Sequence, residues 1–135
     1  MGRINNVITI PASLSGSFFK YWLEFLRPFH KLTDREMDIL AAFIQQRHEL
    51  SKLVTDNNLL DSLVLSEETK KKVREQCGIT ASHLQVVLSK LKKNNIIINN
   101  RINPKFIPRI GTEDNNCQLL LSFIIDGGNI SESSG

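Results

Sequence analysis

The side chains in this sequence whose types and spacing suit chemistry are amides, hydroxyls and cations rather than nucleophiles or metal ligands. From Ala81 to Lys93, the residues Ser82, Gln85, Val86, Ser89 and Lys93 fall on one face of a helix turning about 100° per residue. Leu84, Val87, Leu88 and Leu91 fall on the opposite face. Small hydroxyls and an amide on one helical face are groups that hydrogen-bond base edges in a groove. Gln85 suits adenine, and Val86 suits the methyl of thymine. Thr80, Lys90, Lys92, Lys93, Arg101 and Lys105 are of the types that hold phosphates.

Other chemistries find no comparable grouping. His30, His48 and His83 are scattered, and neither Cys77 nor Cys117 has a neighbour of ligand type, so no metal site is expected. There is no glycine-rich phosphate loop, no G-x-S-x-G and no paired-carboxylate pattern, so neither catalytic residues nor a cofactor are expected. Tyr21, the single tyrosine, raises the possibility of a DNA-nicking nucleophile. That reaction needs a metal-binding histidine pair, and Tyr21 sits between Lys20 and Trp22 without one, so a packing or surface role is expected.

The charge is unevenly spread. The formal net charge is only +3, yet the stretch 66–109 holds ten basic and three acidic residues, whereas 1–65 is balanced and the remainder is acidic. A basic segment hidden in a nearly neutral chain is expected of a phosphate-binding surface.

The elements that must position these side chains lie between Ser66 and Ile110. Ser66 is a helix N-cap with Glu67 and Glu68 in the first turn, and that helix ends at Cys77 because Gly78 tolerates the left-handed conformation. Ile79 points inward and Thr80 caps the next helix, Ala81 to about Lys93. Ile96–Ile98 reads as a strand, Asn99–Pro104 as a turn and Lys105–Ile110 as a returning edge strand, with Arg101 and Lys105 near the tip. This arrangement resembles a winged helix-turn-helix domain, with Val73, Gly78, Ile79, Leu84 and Val87 at the framework positions. The run LSKLKKNNII followed by NPKFI is similar to plasmid replication initiators of the RepL type and, more loosely, to MarR-like regulators and phage DNA-binding proteins. Arg74 departs from the pattern, which usually has a small residue there. The resemblance implies a sequence-specific double-stranded DNA-binding protein, either a transcriptional regulator or a replication initiator. Two other readings stand beside it. One is a winged-helix module that binds protein within a phage particle or replication complex. The other is a plain helical hairpin with a solvated polar face.

Around this centre the fold class expected is mainly α with a small β-sheet. Residues 1–16 read as an arm containing a short strand, Val7–Ile10, followed by a turn at Ser13–Ser17. Residues 17–126 read as the winged-helix domain and 127–135 as a flexible tail. Phe18–Phe29 reads as one aromatic helix with Phe18, Trp22, Phe25, Leu26 and Phe29 along a stripe, serving the core or a homodimer interface. Thr33 and Glu36 form a capping box flanked by Leu32 and Met37, opening a helix to Leu50. Its inward face is Met37, Leu40, Ala41, Ile44 and His48, widened by Ile39 and Phe43, with His48 as a packing residue. Asp56 caps a short helix over Leu59–Leu65, and Gln118–Ile125 reads as a buried strand. Two isolated cysteines, no signal-peptide pattern and no bilayer-length apolar run point to a cytoplasmic protein of a bacterial or phage-infected cell.

Overall fold

A computed structural model describes residues 11–13, 17–110 and 124–125. Its elements run α1 (Phe18–Phe25), α2 (Arg27–His30), α3 (Asp34–Ser51), α4 (Asn57–Val64), α5 (Glu67–Cys77), α6 (Ala81–Lys93), β1 (Ile97–Ile98) and β2 (Arg101–Ile102). The described chain is thus mainly helical with a small antiparallel sheet of two strands.

Helix α3 is the central element, packed against α1, α4 and α5. It begins at the capping box: the Thr33 hydroxyl accepts the Glu36 N–H at 3.2 Å and the Glu36 carboxylate accepts the Thr33 N–H at 2.9 Å. Leu32 and Met37 on either side are buried, as a hydrophobic staple requires. Ile39, Leu40, Ala41, Phe43, Ile44 and His48 are buried too, so this face follows its apolar spacing. The His48 ring packs against Phe19 with centroids 5.8 Å apart.

The aromatic N-terminal helix differs from expectation in two respects. It is broken: Leu26 is not helical, and α2 starts anew with Pro28 in its first turn. Pro28 has no N–H to donate to the Glu24 carbonyl, and its ring would collide with that carbonyl in a continuous helix. His30 then closes the corner, its Nε2–H donating to the Leu23 carbonyl at 2.8 Å while Nδ1 accepts the Leu32 N–H at 3.0 Å. The register also differs, because Phe19 and Leu23 are the fully buried residues while Phe25 and Phe29 are exposed. Trp22 is half-buried and turned inward, donating its indole N–H to the Phe106 carbonyl at 2.8 Å.

Helices α4, α5 and α6 start at the three caps the sequence proposes. Asp56 accepts the Asn58 N–H, Ser66 the Thr69 N–H and Thr80 the His83 N–H. Gly78 closes α5 at φ +66°, and the Ile79 N–H returns to the Arg74 carbonyl. The buried Thr69 hydroxyl donates to the Leu63 carbonyl at 2.9 Å, tying α5 to α4.

The hairpin is tighter than expected. Asn99 and Asn100 form its turn alone, with φ of 55° and 60° as a two-residue type I′ turn requires, and asparagine tolerates that region better than most residues. The returning strand is therefore Arg101–Ile102, paired to Ile98 and Ile97, and not Lys105–Ile110. Pro104–Phe106 forms a single 3-10 turn with Asn103 as its cap, and Lys105 lies on that turn, away from the hairpin tip. Ile124 and Ile125 are exposed and outside any strand, which corrects the buried strand expected over Gln118–Ile125 for those two residues. The strand expected at Val7–Ile10, residues 118–123, Cys117 and the tail 127–135 lie outside the described residues.

Candidate nucleic-acid interface

Helix α6 is held by its apolar side. Leu84, Val87, Leu88 and Leu91 are each at most 3% exposed, and burying a side chain of this kind stabilises by about 1.5–3 kcal/mol. The helix ends where Asn95 takes φ +62° and the N–H of buried Ile96 returns to the Leu91 carbonyl at 2.9 Å. This is a left-handed stop of the kind glycine usually supplies. Lys90, Lys92 and Lys93 occupy the last turn, where cations face the negative end of the helix dipole.

With one side anchored, the other is presented to solvent. Ser82, Gln85, Val86, Ser89, Lys92 and Lys93 are all exposed, Val86 to 68%. Among the described residues the side chains of Ser82, Gln85, Ser89, Lys92 and Lys93 make no hydrogen bond or ion pair. The face is a strip of uncommitted donors and acceptors around one exposed methyl-bearing side chain, edged by two lysines. Thr80 is exposed at the helix start, its oxygen occupied as cap acceptor for the His83 N–H at 3.1 Å.

Two of the cations expected at phosphates are held by carboxylates from elsewhere. Lys90 donates to Glu36 at 2.9 Å, joining α6 to the start of α3. Burial alone would push the Glu36 carboxyl up. The Thr33 N–H and the Lys90 ammonium outweigh it and hold the group below its ordinary range. Arg101, directly after the hairpin turn, lies 3.6 Å from Asp61 of α4, which also accepts two hydrogen bonds from Arg47 of α3. Lys105 is exposed on the 3-10 turn. The structure thus gathers Ser82, Gln85, Val86, Ser89, Lys92 and Lys93 on one surface, commits Lys90 and Arg101 to ion pairs, and puts Lys105 on a different element. Glu36 and Asp61 had no signal in the sequence pointing to these contacts, because each lies 40 or more residues from the cation it meets.

Other features offer less. A cavity of about 890 Å³ is lined by Arg47, His48, Leu60, Asp61 and Ile102, among others. Its charged pair, Arg47 and Asp61, is already mutually satisfied. Burial pushes the half-buried free thiol of Cys77 above its ordinary value, the opposite of what a thiolate nucleophile needs. Among the described residues no group of three or more His, Cys, Asp or Glu side chains is arranged to hold a metal. Nor is any described helix long and apolar enough to cross a membrane. Comparisons with protein-family models, with curated proteins and with solved structures gave no match.

Proposed function

We propose that this protein binds double-stranded DNA by laying the exposed face of α6 in the major groove, as the recognition helix of a winged helix-turn-helix. In this reading it serves as a transcriptional regulator or replication initiator in the cytoplasm. The observation that carries the proposal is the division of α6 into a fully buried apolar side and an exposed side of unpaired Ser82, Gln85, Ser89, Lys92 and Lys93. Such a helix, second in a pair joined through Gly78 and followed by a hairpin, suits groove insertion. Ser82, Gln85 and Ser89 would read base edges and Val86 a thymine methyl. Lys92 and Lys93 would hold phosphates, with Arg101, Thr80 and Lys105 at the margins.

The reading includes a homodimer, since two recognition helices one helical turn of DNA apart are the common way for such domains to gain site length. The exposed rings that suit it are Tyr21 and Phe25 of α1, 40% and 48% exposed, and Phe29 of α2, 69% exposed. Trp22, engaged with Phe106, is not part of it. The same exposed rings favour the second reading, a module that binds another protein.

Titrating duplex binding against salt tests the proposal. Four or five phosphate contacts per protomer correspond to a log–log slope of roughly −4. No binding at low salt, or a flat response, would leave the protein-interaction reading in its place.

A further inference from the structure

The two arginines that meet at Asp61 are not equivalent. Arg47 gives its Nε–H and an Nη2–H to one carboxylate oxygen, Oδ1, at 3.3 and 3.2 Å, and both residues are about four-fifths buried. Arg101 approaches the other oxygen, Oδ2, at 3.6 Å with 47% of its side chain exposed, too far for a hydrogen bond. Among the described residues the Arg101 guanidinium makes no hydrogen bond. Its guanidinium carries five N–H donors, in a fork that matches a phosphate.

We propose that Asp61 is a positioning residue that holds Arg101 of the hairpin in reserve and releases it to a DNA phosphate. The inference rests on the DNA-binding reading above and names the element that completes the interface. A largely buried carboxylate resists losing its partner, because an unpaired charge would be left in a poorly solvated place. Arg47 removes that obstacle: Asp61 keeps its two hydrogen bonds from Arg47 when Arg101 departs. Arg101 gives up one long, half-solvated contact, of the kind contributing little to stability, and gains bidentate, charge-assisted bonds to phosphate. Its place immediately after the two-residue turn confines its reach to the backbone beside the hairpin tip. In the free protein the same contact keeps the guanidinium against α4.

A double-mutant cycle on the full chain tests this, with a fluorescent random-sequence duplex at low salt as probe. Asp61→Asn keeps an oxygen for Arg47 and is expected to tighten binding about two- to fivefold, with most of that gain lost in the Arg101→Ala background. An equal gain in both backgrounds, or none in the first, would overturn the inference, because Asp61 would then act only through its charge or only as a structural group. A second measurement needs no variant of Asp61: on adding duplex, the Arg101 Nε–H resonance should move while that of Arg47 stays. Movement of both or of neither would also overturn it. Failure of the wild-type chain to bind duplex in a salt-dependent way would instead remove the DNA-binding reading itself.

Discussion

Helix α6 and the hairpin that follows it belong to the same basic segment, yet they hold their cations differently. Lys92 and Lys93 stand in solvent with no partner among the described residues, whereas Arg101 of the hairpin rests beside Asp61. Lys90, on the flank of α6 nearer the core, behaves like the hairpin and is tied to Glu36. The difference teaches that a segment's formal charge overstates the cations ready for a ligand. Both neutralising carboxylates come from outside residues 66–109, from α3 and α4. Packing brought them there. Within α6 the cations left without a carboxylate partner among the described residues are therefore Lys92 and Lys93, while Lys71, Lys72 and Arg74 of α5, with Lys105 and Arg109, carry the rest of the segment's unpaired positive charge.

The contrast depends on α6 being rigidly seated. Leu91 is fully buried at the helix end nearest the hairpin, so Leu91→Ala should cost about 2–5 kcal/mol of stability, measured by urea denaturation. A cost below about 1 kcal/mol would mean that the α6 end is not packed as described. The hairpin should respond in the other direction. Asn100 sits at φ 60° in the type I′ turn, and Asn100→Gly relieves that conformation, with an expected gain of up to about 1 kcal/mol. Destabilisation by the same change would contradict the turn geometry.

Acid should affect the side of the molecule nearer the hairpin rather than the surface of α6. Burial first, and Lys52 second, lower the pKa of His48, which lines the same cavity as Ile102 of the hairpin. The folded protein therefore favours the neutral ring. The unfolded chain takes up a proton first as pH falls below the ordinary histidine value of about 6.5, and folding stability declines from there toward the lower folded value. Above that window the contribution is complete. The decline, followed by thermal denaturation between neutral and mildly acidic pH, should be shallower in His48→Gln. An unchanged profile would place the pH dependence elsewhere. This is the smallest of the three effects.

How legible the molecule was in its sequence follows from how local each determinant is. The caps at Thr33, Asp56, Ser66 and Thr80, and the stop at Gly78, act within four residues, and the structure has them where the sequence places them. The buried face Leu84, Val87, Leu88 and Leu91 was equally readable, since a period is a local property. The break at Leu26 was also local, in that Pro28 announces it, but the aromatic stripe masked the signal and shifted the register. The hairpin departs from expectation because two asparagines suffice for the turn, leaving Pro104 to start a 3-10 turn in place of a strand. The contacts Trp22–Phe106, Lys90–Glu36 and Arg101–Asp61 join residues 40 to 84 positions apart and depend on packing that no local pattern encodes. For the candidate site, the exposed face was readable, while the commitment of two of its cations to carboxylates was not.

The central claim is that the exposed face of α6 distinguishes one base sequence from another. Measuring duplex affinity for Gln85→Ala and Lys93→Ala, each on a selected preferred site and on random sequence, tests it most directly. Gln85→Ala should cost about 1–3 kcal/mol on the preferred site and little on random duplex, whereas Lys93→Ala should weaken both nearly equally. Equal losses for Gln85→Ala on the two duplexes, or no loss on either, would contradict the assignment of α6 as the reading helix.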